Sequence, residues 1–478
     1  MPAYCADLFA YTRRRTRVVM AGRVGIGGRN PLRVQSMTTT DTADVAASVA
    51  QVLSLAEAGC EIVRLTAPTV EAARALEAVK AGILLRGVDV PLVADIHFLP
   101  EAALVAADFV EKIRINPGNF ADSKTFAARG YSDAEYAGEL DRVRERLSPL
   151  VDKLKRLKRS LRIGVNHGSL SDRILNRYGD TPRGMVESAL EFARLCEEQD
   201  YRDLVFSMKA SNVKIMIAAY RMLAARMAEL GMDYPFHLGV TEAGDGEDGR
   251  IKSAIGIGGL LEDGIGDTLR VSLTEDPERE VPVCFALAGR FQARKPEPRR
   301  PDLAAQTHCP DPFSYCRRPS RRIAAGRFGV GGGEPVRVVA APFPPDGKEP
   351  EPEISASRIA SCDFAHWDEK LDDESVFLAA VKAGGKPLWV EAADHKEALR
   401  RAALARAAGI EALVGLRGGD SGALLRQYRM LAAAGGDFPI HLLAPRAEDE
   451  QRQVLDASVL IGSLLCDGVG DSVEVDSG

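Results

Sequence analysis

The sequence lacks a basic excess. Lys and Arg total 62 against 68 Asp and Glu in 478 residues, a formal net charge of −6. A general nucleic-acid binder usually shows the opposite balance, so nucleic acid is not an expected partner, although local basic sites for small anions remain open. No apolar run reaches the ~18 residues of a membrane span, and no membrane partner is expected. The opening string MPAYCADLFAYTRRRTRVV has no apolar core ahead of a small-residue cleavage site, so no secretory signal is expected. Arg13, Arg14, Arg15 and Arg17 in it read as a solvated basic edge rather than a targeting arm. The 8 cysteines are Cys5, Cys60, Cys196, Cys284, Cys309, Cys316, Cys362 and Cys466. They form no C-x-x-C pair and no tight framework, which fits a reducing cytoplasm. Cys309 and Cys316 read as two loop thiols rather than a metal site.

What is present is ordinary for a globular protein: 46% apolar and 27% charged residues, over a length that suggests about three domains or two large ones. The first 275 residues alternate β-rich apolar runs with Ala/Leu/Glu-rich helical stretches. Eight strands can be marked: LRVQSM ending at Met37, EIVRLT at Thr66, PLVADIH at His97, KIRINP at Pro117, LRIGVNHG at Gly168, LVFSMKAS at Ser211, FHLGVTEA at Ala243 and DTLRVSL at Leu273. This pattern predicts an α/β fold, a closed (β/α)8 TIM barrel. A doubly wound open sheet is the alternative, weakened because no G-x-G-x-x-G follows the first strand.

Residues 276–320 are Pro-rich and basic and read as a linker. The stretch APFPPDGKEPEPE, 341–353, reads as a long loop. An internal repeat defines the rest. Residues 11–34 align without a gap to 315–338 with 13 of 24 identical, and GGLLEDGIGDTLRV from Gly258 matches GSLLCDGVGDSVEV from Gly462 with 8 of 14 identical. YRMLAA recurs at Tyr220 and Tyr428, and PFHL from Pro235 resembles PIHL from Pro439. Residues 321–478 therefore read as a second, shortened and degenerate barrel-like domain, short by about two βα units.

The active site of a (β/α)8 enzyme lies at the C-terminal ends of the strands. There the first copy places five cations, Arg64, Arg114, Arg162, Lys209 and Arg270, each in or at the end of an apolar strand core, where an unpaired charge is costly. Two acidic partners are evident, Asp95 and Glu242. The surplus positive charge calls for an anion, and two phosphates would balance it; the planar Arg fork suits phosphate. Gln35, Ser36, Asn116, Asn119, Asn166, Thr241 and Ser272 add neutral polar groups. Pro117 and Gly118 in RINPGN are placed to turn the chain and expose backbone N–H groups, an anion nest, although each Asn could equally be a turn or cap residue. His97 follows Asp95 on the same side of its strand, a pair able to move a proton or simply to hydrogen-bond. Asp95, His97 and His167 have the side chains of metal ligands but no specific spacing, and no metal is assigned.

The second copy serves as a control. Arg270 aligns with Glu474, Ser272 with Asp476, Thr241 and Glu242 with Pro445 and Arg446, and Gln35 and Ser36 with Val339 and Ala340; only Lys209 keeps a cation, as Arg417. Scaffold residues are retained while mouth residues are lost, as in a duplicated domain kept as a spacer or interface.

The strings VQSMTTTDTADV, VRLTAP, VADIHF, RINPGN, GVNHGSL, SMKASN, GVTEAG and SAIGIGGLLEDGIGDTLRVSL run in order through residues 11–275. They closely resemble the 4-hydroxy-3-methylbut-2-enyl diphosphate synthases of the methylerythritol phosphate route to isoprenoids. LRGGDSG and IGSLLCDGVGDSVEV resemble the inserted middle domain of that family's three-domain type, and with no transit peptide evident a bacterial cytoplasmic source is expected. The resemblance implies an iron-sulfur oxidoreductase that reductively opens 2-C-methyl-D-erythritol 2,4-cyclodiphosphate to 4-hydroxy-3-methylbut-2-enyl diphosphate. Electrons would come from ferredoxin or flavodoxin through a [4Fe-4S] cluster. Carried over by motif, Arg64, Arg114, Arg162, Lys209 and Arg270 would clamp phosphate oxygens, Asn166 and Ser272 would add hydrogen bonds, and Asp95 and Glu242 would orient the polyol or organise the Arg groups.

One departure stands against full activity. The family's C-terminal domain holds the cluster through a C-P-x-C pair, a later Cys and a Glu in an N-G-P-G-E string. None of these strings occurs here, and Cys466 has Glu262 as its counterpart in the repeat. The chain is therefore expected to supply the substrate barrel without its cluster domain, by truncation or by a split gene with a separate cluster domain as a possible partner, and alone to bind substrate weakly and not reduce it. A pterin-type, non-redox diphosphate-binding barrel and a non-catalytic relative are the competing readings.

Overall fold

The structure, a computed structural model, describes residues 3–120, 130–292, 294–299, 311–339, 358–367 and 373–476. Two compact units divide the chain, Met1–Cys5 with Thr12–Pro296 and Ala6–Tyr11 with Glu297–Gly478.

In the first unit, β1 (Val19–Ala21) and β2 (Val24–Ile26) form an antiparallel hairpin. Eight parallel strands follow: β3 (Arg33–Met37), β4 (Ile62–Thr66), β5 (Leu92–Ile96), β6 (Lys112–Ile115), β7 (Ser160–Asn166), β8 (Leu204–Lys209), β9 (His237–Leu238) and β10 (Thr268–Leu269). Their order is β8-β7-β6-β5-β4-β3-β10-β9, and a parallel bridge from Phe206 to Phe236 joins the two ends. Every strand read from the sequence is present, and the barrel closes. Helices fill the crossovers, with starts fixed by side-chain caps: Thr69 accepts from the Ala72 N–H, and Ser132 with Glu135 forms a capping box. Strand residues alternate between helices and barrel interior. At the N-terminal end, Ile62, Val93 and Val205 pack on hairpin residues Val19, Ala21 and Ile26, so an apolar plug closes that end and polar residues take the interior above it.

Two expectations are corrected. The segment read as a linker from 276 begins with a helix, Pro277–Gln292, which packs on β3 and on the helix Val45–Glu57. Its prolines and charges mask a buried stripe of Val281, Cys284, Leu287, Ala288 and Phe291. Of the arginines read as a solvated edge, Arg15 is exposed but the other three are fasteners. Arg13 donates to the Asn30 carbonyl and to Asp267 (3.0 Å), Arg14 donates to the Tyr234 carbonyl and lies over Phe236, and Arg17 pairs with Asp233.

The second unit repeats this scheme. A hairpin of β11 (Ile323–Ala325) and β12 (Phe328–Val330) precedes β13 (Arg337–Val339), β14 (Arg358–Ile359), β15 (Ala365–His366), β16 (Leu388–Ala392), β17 (Ala412–Leu416), β18 (Ile440–Ala444) and β19 (Ser472–Val475). The parallel order is β14-β13-β19-β18-β17-β16-β15, one strand fewer than the first unit among the described residues. Val339 opposite Ile359 reproduces the register of Gln35 opposite Ile62, so β14 stands for β4. The residues read as a long loop, 341–353, lie outside the described residues. The fasteners are duplicated: Arg317 to Asp471, Arg318 to the Phe438 carbonyl, Arg321 to Asp437 and Arg429 to Asp467 match Arg13, Arg14, Arg17 and Arg221 to Asp263. A π-helical turn interrupts the helix before the last strand in both units, at Ala254–Gly258 and Ser458–Gly462.

Candidate anion-binding mouth

The strand cations converge at the C-terminal end of the first barrel. β5 presents Asp95, which lies directly opposite Arg114 of β6. Arg114 Nη1 donates to Asp95 Oδ1 (2.8 Å), and Nη2 donates to the Gly164 carbonyl (3.0 Å) and to Asn166 Oδ1 (3.2 Å). Residue 164 has to be glycine for this: a Cβ there would lie 2.4 Å from Arg114 Nε. Arg64 Nε is 3.5 Å from Asp95 Oδ2 and 3.1 Å from the Met37 sulfur. His97 Nε2 completes the group, 3.2 Å from Asp95 Oδ2. Burial alone would raise the Asp95 carboxyl, but Arg114, Arg64 and His97 together hold it well below its ordinary value. It is a fixed carboxylate, suited to organising cations rather than to giving up a proton. Burial lowers Arg64 to about 10. Burial, with Arg64, Arg270, Arg162 and Arg114 around it, pushes Lys209 well down.

Arg270 has a partner the sequence reading missed. Its Nε and Nη2 each lie 3.2 Å from a Glu280 oxygen. Glu280 is buried on the helix Pro277–Gln292 and also accepts from Ser36 Oγ at 2.8 Å, so Ser36 faces that helix rather than the mouth. Glu242, read as the second acidic partner, is exposed at φ +53 beyond β9 and is not among the carboxylates paired with the mouth cations. The RINPGN nest is also corrected: the Gly118, Asn119 and Phe120 N–H groups all donate to Asn116 oxygens. Gly118 is there for close approach, since a Cβ would lie 1.9 Å from the Ser169 carbonyl oxygen. Asn116 and Asn119 both donate to Ser169 Oγ at 3.2 Å and hold that loop. Thr241 and Ser272 are half-buried at their strand ends. His167 turns to Asp180, 3.6 Å away, apart from Asp95 and His97.

Below the mouth lies a fully buried polar layer that the sequence reading caught only in Gln35 and Arg162. Lys112 Nζ, all three Arg162 guanidinium nitrogens, both ring nitrogens of His237 and both amide atoms of Gln35 have no hydrogen-bond partner among the described residues. Lys112 opens β6. Burial first, then neighbouring cations, pushes Lys112, Arg162 and His237 well below their ordinary values.

The described cysteines do not fit an iron-sulfur cluster. Cys60, Cys196 and Cys284 are buried, and burial raises the thiols of Cys60 and Cys196 to about 12, against the thiolate that a metal requires. Cys60 Sγ instead accepts from the Ser36 N–H and donates to the Ile62 carbonyl, each at 3.1 Å. No group of three His, Cys, Asp or Glu side chains able to hold a metal occurs among the described residues.

Comparison with known proteins agrees with this geometry. The GcpE TIM-barrel domain family matches residues 16–285. A 4-hydroxy-3-methylbut-2-en-1-yl diphosphate synthase (flavodoxin) of Akkermansia muciniphila is 48% identical over 98% of this chain and 78% of its own length. One of Leptospira interrogans is 57% identical over 69% of this chain and 50% of its own. A chloroplastic, ferredoxin-type synthase of Oryza sativa is 54% identical over 60% of this chain and 38% of its own, so the chain spans half or less of these last two relatives. With the barrel matched along its length and nearly the whole chain aligned to one relative, the chain belongs to the 4-hydroxy-3-methylbut-2-en-1-yl diphosphate synthase family.

Proposed function

We propose that the first unit is the substrate-binding barrel for 2-C-methyl-D-erythritol 2,4-cyclodiphosphate in its reductive opening to 4-hydroxy-3-methylbut-2-enyl diphosphate. One observation carries this reading: five converging cations, Arg64, Arg114, Arg162, Lys209 and Arg270, face two carboxylates, Asp95 and Glu280. A diphosphate supplies the missing negative charge. Lys209, Arg64 and Arg270 meet phosphate oxygens at the rim, with Arg114 held in place by Asp95 and Arg162 beneath. Asn166, Thr241 and Ser272 add hydrogen bonds, and Asn116 fixes the adjoining loop. His97 and Glu242, both at the open end, stand where the polyol would lie, His97 within hydrogen-bond reach of the Asp95 carboxylate.

The reduction needs two electrons, which flavodoxin or ferredoxin delivers through a [4Fe-4S] cluster in this family reading. The described cysteines offer no ligand set for it, so no reductive step is derived from these residues. No described helix is long and apolar enough to cross a membrane. The test is competition binding to the full chain. The cyclic diphosphate should displace a pterin diphosphate and bind far more tightly than unphosphorylated methylerythritol. Preference for the pterin compound, or equal binding of the unphosphorylated polyol, would contradict the reading.

A further inference from the structure

We infer that the first barrel holds a second, inner anion site between its mouth and its apolar plug, taking one halide-sized anion such as chloride against Lys112, Arg162 and His237. The layer consists of Gln35, Lys112, Ser160, Arg162, His237 and Thr268, all 0–1% exposed. Each has a side-chain polar atom without a hydrogen-bond partner among the described residues. Strand alternation turns them inward: Lys112 and Ser160 are directly opposite on β6 and β7, as are Thr268 and His237 on β10 and β9.

The chemistry of the layer is lopsided. Lys112 and Arg162 are donors only, the two hydroxyls and His237 can each donate, and the obligatory acceptors are the Gln35 oxygen and one ring nitrogen of neutral His237. A buried donor left unsatisfied is costly. Water would bring two more donors to a layer already short of acceptors, whereas an anion accepts from all sides and offsets the charge. The nearest carboxylate, Asp95, is already committed to Arg114, Arg64 and His97. The unpartnered polar atoms of the layer are closed to solvent, which favours a monatomic occupant over a polyatomic one.

The second unit supplies independent support. By register, Val339 stands at the place of Gln35, Phe364 at that of Lys112 and Trp389 at that of Arg162. These side chains pack together as a hydrophobic cluster. His441, the counterpart of His237, lies 3.0 Å from Ser472 Oγ and 3.4 Å from Glu474. The fold therefore does not require a polar layer at this level. Where Glu474 becomes Arg270, the buried His loses its acid and the layer gains cations with nothing to balance them.

Crystals of the full chain grown with bromide in place of chloride test this without a variant. An anomalous peak within hydrogen-bond reach of Lys112 Nζ and the Arg162 guanidinium is expected. Anomalous peaks at the mouth alone, or none, would overturn the inference. In solution, the melting temperature should rise more with sodium bromide than with the same concentration of the bulkier methanesulfonate. Lys112→Met should lose that difference and Lys209→Ala, at the mouth, should keep it. Equal responses to the two salts in the wild-type chain, or an unchanged bromide effect in Lys112→Met, would also overturn it. None of these readouts depends on which diphosphate the mouth accepts.

Discussion

Where β7 of the first unit carries Arg162, the second unit carries Trp389. The two units share their hairpins, their π-helical turns and their Arg–Asp fasteners, yet their interiors follow opposite chemistry. Trp389 stacks on His366 at 5.2 Å, meets Phe364 edge-on and lies 4.5 Å from the His441 ring. Offset and edge-to-face contacts of this kind satisfy aromatic rings among themselves. The cations at the corresponding positions of the first unit do not satisfy one another. What the fold requires is thus visible as what both units keep: the fasteners and the apolar plug under each hairpin. What binding requires is visible as what the second unit has dropped. On the proposed reading, the first unit tolerates desolvated charge because a ligand completes it; the second has packing in place of that demand.

This contrast can be broken from either side. The largest effects should come from the two interiors. Trp389→Ala should cost the second unit about 3–5 kcal/mol, as large-to-small core substitutions do. Both of the chain's 2 tryptophans, Trp367 and Trp389, lie in that unit, so the fluorescence of Trp367 would follow its unfolding while diphosphate binding by the first unit stays unchanged. Asp95→Asn should cost the first unit a similar amount, about 3–5 kcal/mol, because it leaves buried Arg114 and Arg64 without their acid; circular dichroism should show this with the tryptophan transition unmoved.

The same pair has a pH signature. The Asp95 carboxyl is held below its unfolded value of about 3.9. Its contribution is therefore complete above that pH and lost as pH falls through the lower folded value. The stability gap between wild type and Asp95→Asn should be flat above about pH 4 and shrink in more acidic solution. A gap that grew on acidification would refute the ion-pair assignment.

A smaller effect is expected for Lys209→Ala, which removes a cation that no protein carboxylate claims. Loss of one charge-assisted bond, about 1.5–3 kcal/mol, should weaken diphosphate binding roughly tenfold to a hundredfold with little loss of stability. Smallest of all, Glu474→Arg in the second unit, which restores the residue type of Arg270, should create no diphosphate site. It should shift stability by less than about 1 kcal/mol, since its contact with His441 is half-exposed.

Much of this was legible in the sequence for a physical reason. An Arg or Lys inside a β-rich apolar run has few explanations, so Arg64, Arg114, Arg162, Lys209 and Arg270 declare themselves, and the repeat identifies which of them the fold can spare. The misses share a cause as well. Glu280 sits on a helix whose prolines and charges read as linker, although its buried residues recur at helical spacing. Lys112 stands first in its strand, with the charged Glu111 before it, so no apolar run on both sides marks it as Arg114 is marked. Glu242 follows a strand closely enough to look like a mouth residue, but the left-handed backbone at φ +53 carries it outward, and one-dimensional spacing does not show that turn. Arg13, Arg14 and Arg17 look solvated until the distant Asp267, Tyr234 and Asp233 come beneath them.

The central claim is that the mouth of the first unit alone binds the cyclic diphosphate. Titration calorimetry of the full chain with 2-C-methyl-D-erythritol 2,4-cyclodiphosphate, on wild type and Lys209→Ala, tests it most directly. The account predicts one molecule bound per chain, an affinity that falls with added salt, and a loss of roughly tenfold to a hundredfold in the variant. Absence of binding, two molecules per chain, or an affinity indifferent to Lys209→Ala would contradict it.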